Sequence, residues 1–237
     1  MQDKRILITG ASAGIGRALA VKLASGGNRV VALARDPEKL ASLAAEIPSI
    51  ETVALDLADT AAVRDFAEAG WRGPLDVLVN NAGVQVERRL DDPGCKSDAM
   101  TGEIAVNLTA PIVLTRGLLP HLLEGGMVVN LVSALALAPK DTAACYSATK
   151  AGLRMFSRGL RAQFPRERLR VLNIYPPLVD TAMTTGRGTG KMAPGAAADA
   201  IIAAMQGHRD EVLIGKTRII AMLSIIAPKL ATRLMSG

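Results

Sequence analysis

The segment Arg5-Ile-Leu-Ile-Thr-Gly-Ala-Ser-Ala-Gly-Ile-Gly16 decides how this chain is read. Residues 5–8 form a short apolar run of strand character, and residues 14–25 then carry the periodicity of a helix. Between strand and helix lies a turn in which Gly10, Gly14 and Gly16 are spaced by Ala11, Ser12, Ala13 and Ile15. Glycine is needed where a backbone turns tightly or where a phosphate must come close without meeting a Cβ. The helix that follows offers free N–H groups and the positive end of its dipole, which suits a pyrophosphate. A glycine cluster alone is weak evidence. A strand before it and a helix after it supply the context in which such a turn binds a dinucleotide.

The same rhythm repeats outward from this unit. Residues 29–33, 51–55, 76–79, 127–132 and 171–174 read as strands, with 212–214 as a short edge strand. Helical stretches at 37–46, opened by Pro37, and at 60–69 lie between them. Apolar strands alternating with helices predict a parallel sheet covered on both faces, because each crossover lays a helix over the sheet. The expected fold class is α/β, a Rossmann-type doubly wound sheet of about seven strands in a single domain over 1–237. No Pro/Gly/Ser linker divides the 237 residues and no internal repeat is visible. The segment 183–195 breaks the rhythm, with Gly186, Gly188, Gly190 and Gly195 beside Arg187 and Lys191. It reads either as a solvated loop or as a lid that closes on a ligand.

Composition narrows the function. Hydrophobic residues at 49% against 21% charged exclude a disordered chain. The net charge of +6 suits a polyanion or a phosphorylated cofactor, but aromatics at 3% leave few platforms for stacking bases, so no nucleic-acid partner is expected. Cys95 and Cys145 stand far apart with no histidine near, which argues against a disulfide scaffold and against a metal site. The N-terminal apolar run, broken at Thr9-Gly10, does not have a signal-peptide pattern, and the apolar run 219–227 is too short for a bilayer core. A reducing, cytoplasmic setting with no transmembrane segment is the expectation.

The end of the second strand distinguishes the two nicotinamide dinucleotides: a carboxylate there accepts from the ribose 2′-OH, an arginine accommodates a 2′-phosphate. The chain reads Leu33-Ala34-Arg35-Asp36. Ala34 occupies the carboxylate position with Arg35 just beyond, and Arg17 is a second available cation. The reading favours NADP(H) and leaves NAD(H) open, the rival being Asp36 turned back onto the ribose.

Tyr146-Ser-Ala-Thr-Lys150 sets a phenol and an ammonium one turn apart on a helix face. A neighbouring cation favours the phenolate, which makes Tyr146 a candidate general acid/base. Ser133, at the end of the fifth strand, lies where open α/β sheets bind ligands and could hydrogen-bond a carbonyl oxygen. No G-x-S-x-G elbow surrounds it. His121 and His208, expected on helix surfaces, have no triad spacing, so Ser133 is not read as a nucleophile.

Taken together, the glycine turn, Asn80-Asn81-Ala82-Gly83, Asn107, Ser133 and Tyr146-x-x-x-Lys150 resemble the short-chain dehydrogenase/reductase family in its single-domain form, in order and spacing over nearly the whole chain. The tail looks more particularly like the DltE-like subgroup. The resemblance implies an NADP(H)-dependent reduction of a carbonyl, or oxidation of a secondary alcohol, by hydride transfer. Tyr146 would exchange the proton, Lys150 would lower its pKa and bind the nicotinamide ribose, and Ser133 would orient the carbonyl. Asn107 would hold a water that relays protons from Lys150. Asn81, Ala82 and Gly83 would line the adenosine side, Asp56 and Leu57 the adenine, and Pro176, Val179 and Thr181 the nicotinamide. Pro177 departs from the family's usual glycine there and puts the course of that loop in question.

The resemblance also implies a small-molecule carbonyl or alcohol substrate and a homodimer or homotetramer. The alternative function is a dinucleotide-binding sensor or interaction protein without turnover, which would need no acid/base set. Lys150, Arg154, Arg158 and Arg161 read as a solvated or interface stripe. The apolar tail 216–237 has too many apolar positions for a free helix face. It could cover the cleft, pack on a partner subunit or lie on a membrane surface, with burial against protein the first expectation.

Overall fold

A computed structural model describes residues 1–236; Gly237, the last residue of the expected tail, lies outside the described residues. Seven strands, β1 (Arg5–Thr9), β2 (Arg29–Ala34), β3 (Glu51–Ala54), β4 (Leu75–Asn80), β5 (Leu122–Leu131), β6 (Leu169–Tyr175) and β7 (Glu211–Leu213), pair in the order β3-β2-β1-β4-β5-β6-β7. Every pairing is parallel. The winding reverses between β1 and β4, and the crevice at their C-terminal ends is where such sheets take ligands.

Alternation within the strands builds two cores. Ile6 and Ile8 of β1 join Val77, Val79, Leu172 and Ile174 on one face, under α1 (Gly14–Ser25) and α7 (Pro194–Gln206). Leu7 joins Val31, Leu33, Leu78 and Val128 on the other, under α3 (Thr60–Asp65), α5 (Ala110–Leu118) and α6 (Ala144–Gln163). Each fully buried Leu or Ile contributes about 1.5–3 kcal/mol of transfer free energy. The edge helix α2 (Pro37–Glu46) begins where Asp36 accepts the backbone N–H of Lys39 at 3.1 Å.

Several expected boundaries move. The helix expected at 60–69 is α only to Asp65 and then widens into a π turn over Phe66–Gly70. Strand β5 starts at Leu122 because Leu122 pairs with Leu75 before the register shifts. Pro194 and Gly195, assigned to the irregular segment, open α7 instead. His121 and His208 lie in turns beside β5 and α7 rather than on helices. The basic stripe on α6 divides by function: Lys150 is buried, Arg154 and Arg161 pair with Glu211, and Arg158 is exposed. The tail folds as α8 (Thr217–Ile226) and α9 (Pro228–Ser236), of which only Thr217 and Ala231 are buried. Burial against this chain therefore accounts for one side of the tail, not for its apolar outer side.

Candidate active site

The turn after β1 is held so closely that its glycines have no room to be anything else. Gly10 and Gly14 adopt φ of +66° and +55°. A Cβ on Gly16 would stand 2.3 Å from the carbonyl oxygen of Gly10 and 2.4 Å from Nδ2 of Asn81. The fastening comes from β4: Asn81 Nδ2 donates to the carbonyl of Thr9 at 2.8 Å, and the Thr9 hydroxyl accepts the N–H groups of Asn81 and Ala82 at 3.0 Å each. Thr181 closes the turn from the far side, its methyl 2.9 Å from where a Gly14 Cβ would be. Helix α1 then starts behind Ala13 with no side-chain cap and no acidic residue in its first turn. Its leading N–H groups, beside Ser12 and Ile15, are thus left to an external acceptor, and the cradle fits a phosphate.

At the end of β2, Ala34 is buried and Arg35 exposed. Asp36, the rival ribose ligand, is occupied: it caps α2 and bridges Lys39 Nζ at 3.0 Å, and these contacts hold its carboxyl below the usual range. Arg17 is tied to Glu46 of α2 in an exposed ion pair. Beyond β3 the Asp56 carboxylate turns onto the N–H of Ala58 at 3.0 Å, while Leu57 is buried among Leu7, Leu33 and Val63. The side chain of Leu57 therefore belongs to the core rather than to the crevice surface.

The acid/base candidates converge at the C-terminal ends of β4 and β5. Helix α6 is locked to the sheet beneath it by a buried polar row: Asn80 Nδ2 donates to Asn130 Oδ1, and Asn130 Nδ2 donates to Ser157 Oγ, each at 2.8 Å. This docking turns Tyr146 and Lys150, both buried, toward the end of β5. Lys150 Nζ donates to the carbonyl of Leu131 at 2.9 Å and lies 5.7 Å from the centre of the Tyr146 ring. Ser133 follows β5 directly, its Oγ accepting the N–H of Leu135 at 3.2 Å. A Cβ on Gly83 would come within 3.3 Å of Asn107 Oδ1 and 3.5 Å of Lys150 Nζ, so Gly83 lets these two groups meet over the end of β4.

Asn107 sits in a π turn, Ala105–Thr109, between α4 (Ser97–Ile104) and α5. Its side-chain amide grips the backbone of Val84 on both sides, Nδ2 donating to the carbonyl at 2.8 Å and Oδ1 accepting the N–H at 2.9 Å. Such single π turns widen a helix and are common at functional sites. One turn earlier, Glu103 is fully buried and accepts the N–H of Val86 at 2.9 Å. Its Oε2 has no partner among the described residues.

Burial pushes the Tyr146 phenol up to about 12, helped by the Glu103 charge and opposed by hydrogen bonding to Ser133 and by the Arg187 cation. The ammonium is directed to the Leu131 carbonyl and not to the phenol oxygen, so desolvation dominates. Lys150 itself is pushed down to about 8 by burial, with the Glu103 charge acting against that fall. A phenol in this setting is protonated at neutral pH.

The segment 183–195 folds over this region. Glu87 bridges Arg187 at 2.6 Å and also pairs with Lys140, so one carboxylate ties the strap to the loop after Ser133. Arg187 donates further to Gln85 at 2.6 Å. Val179 forms a bridge with Met192, and Thr184 Oγ1 donates to the Val179 carbonyl at 2.6 Å. Pro176 and Pro177 lead from β6 to this strap, Pro177 lying against Gly215. Despite the proline, the loop still brings Thr181 to Gly14.

The sequence reading missed Thr9, Asn130, Ser157, Glu87 and Glu103. The signal for Asn130 was a polar residue inside an apolar strand; Glu87 and Glu103 carried none, since their partners are distant in sequence.

Comparison with known proteins agrees with this geometry. Residues 4–191 match the family model described as short chain dehydrogenase. An uncharacterized oxidoreductase, DltE, from Bacillus subtilis is 37% identical over 189 residues, covering 77% of this chain and 74% of the relative. A short chain dehydrogenase from Burkholderia cenocepacia, solved in complex with NADP, superimposes with a TM-score of 0.86 at 28% identity, covering 100% of this chain and 99% of that one. A metagenomic short-chain oxidoreductase in complex with NADP gives 0.74 at 32% identity, over 90% and 97% of the two chains.

Proposed function

Since the chain belongs to the short-chain dehydrogenase family and is an oxidoreductase of that type, we propose that it reduces the carbonyl group of a small molecule at the expense of NADPH, with Tyr146 as the proton donor. The observation that carries the reading is the convergence of a buried phenol, a buried ammonium and the Ser133 hydroxyl at the mouth of a crevice floored by the glycine turn. Bound NADPH would supply the hydride. The uncapped start of α1, from Gly10 to Gly16, would hold its pyrophosphate, and Asn81, Ala82, Gly83, Val179 and Thr181 would border the rest. Arg35 would meet the 2′-phosphate, a role supported by the engagement of Asp36 elsewhere and by NADP in similar structures.

Tyr146, neutral at physiological pH, gives its proton to the carbonyl oxygen as charge develops there. Lys150 stays largely charged at neutral pH, and its cation stabilises the phenolate left behind. Ser133 orients the carbonyl by donating from Oγ. Asn107 fixes the backbone at Val84, and through it the wall that faces Lys150. The single-domain organisation, the strap as a lid and a homodimeric or homotetrameric assembly in the cytoplasm complete the proposal.

NADPH consumption measured against a panel of aldehydes and ketones tests this. Turnover with NADPH, and about tenfold weaker binding of NADH, is expected. Tight dinucleotide binding with no turnover on any carbonyl would instead support a sensor.

A further inference from the structure

The two tail helices present an apolar surface that the chain itself does not cover. Ile219, Met222, Ile225 and Ile226 lie on one arc of α8, and Leu230 and Leu234 on one arc of α9. Ile225 is 82% exposed and Ile226 68%. These six are half of all the large hydrophobic side chains exposed among the described residues. Lys229 and Arg233 stand on α9 beside Leu230, Lys216 and Arg218 lie at the start of α8, and the sequence from Val212 onward contains no acidic residue. The tail thus carries four cations and no acidic side chain.

We propose that the α8–α9 hairpin docks onto an anionic lipid surface, its isoleucines and leucines entering the headgroup boundary. Lysine and arginine stems beside the leucines of α9 can lie along apolar material while their charges meet lipid phosphates. The charge pattern selects this occupant over a second copy of the chain. A two-fold axis through the patch would set it against itself, bringing two basic tails together with no acidic side chain from either. No helix among the described residues is long and apolar enough to cross a membrane, so the attachment is peripheral. The inner side of the hairpin explains why it keeps its shape without lipid: Met235 packs on Leu135, Ala143 and Tyr146, and the N–H of Asp141 donates to Ser236 Oγ at 3.2 Å. Docking would consequently set the crevice mouth close to the lipid.

Co-sedimentation of the full chain with vesicles of phosphatidylcholine, with and without phosphatidylglycerol, tests the proposal independently of catalysis. About tenfold more protein should pellet with the phosphatidylglycerol vesicles, and added salt should reduce it. The exposed double substitution Ile225→Glu with Ile226→Glu should abolish pelleting, while Lys229→Glu with Arg233→Glu should remove the preference for the anionic lipid, both with unchanged circular dichroism. Failure of the wild type to pellet with either vesicle would overturn the proposal, as would equal pelleting of the isoleucine variant. A lipid-free dimer that this variant dissociates would assign the patch to a second copy and overturn it equally.

Discussion

The glycine turn after β1 and the glycine-rich strap between β6 and α7 use the same residue for opposite ends. In the turn, a Cβ on Gly16 would strike the backbone of Gly10; in the strap, a Cβ on Gly186 would meet nothing within 4 Å. The turn is fastened by hydrogen bonds from Thr9 and Asn81, whereas the strap adds ion pairs of Glu87 and Lys191 to its Val179–Met192 bridge and the Thr184–Val179 hydrogen bond. One side of the crevice is fixed by packing, and the other is held by contacts that can be exchanged. Under the proposed function, the rigid side would take the invariant cofactor and the adjustable side a variable substrate.

Substitutions can break or sharpen that contrast. Gly16→Val should be the most damaging, lowering dinucleotide affinity by about 100-fold or more because the added methyls occupy space taken by backbone. Fluorescence titration with NADPH measures it, and an affinity within a few-fold of wild type would show that the turn is not rigid. Arg35→Ala should erase most of an approximately tenfold preference for NADPH over NADH, about 1.4 kcal/mol, and leave the thermal midpoint unchanged. Equal affinities for the two dinucleotides in the wild type would contradict the role of Arg35.

A smaller effect is expected from pH. Lys150 is pushed down to about 8, so its charge, present at neutral pH, is lost as pH rises through that value. The rate of carbonyl reduction should be level below pH 8 and fall above it. Glu103→Gln keeps an acceptor for the Val86 N–H but removes the charge that sustains the ammonium, so the falling limb should move to lower pH. An unmoved limb would show that Glu103 acts only on the backbone. Gly186→Ala should matter least: the left-handed backbone, at φ +77°, costs about 1 kcal/mol with alanine, visible as a small fall in the thermal midpoint with kcat nearly unchanged.

What was legible in the sequence follows the range of the forces involved. The seven strands and the first two helices could be read because apolar period and glycine spacing are local, and α1 and α2 begin and end where expected. Tyr146 and Lys150 were legible for the same reason, since four residues of one helix fix their relation. The raised pKa of the phenol was not, because its burial is decided by Leu135 and Ala143 of the loop after β5 and by Met235 of the tail. Nor was the clasp of Glu87, whose partners stand 53 residues away at Lys140 and a further strap away at Arg187. The tail marks the same limit: its apolar pattern was evident, but which side of it the chain would cover was not.

The central claim is that the buried phenol of Tyr146 delivers the proton that completes carbonyl reduction. Single-turnover oxidation of NADPH by the wild type and by Tyr146→Phe, on the best carbonyl substrate found, tests it most directly. The account predicts a rate about 100- to 10,000-fold lower in the variant with NADPH affinity within about twofold of wild type. A variant that oxidises NADPH at the wild-type rate would contradict it.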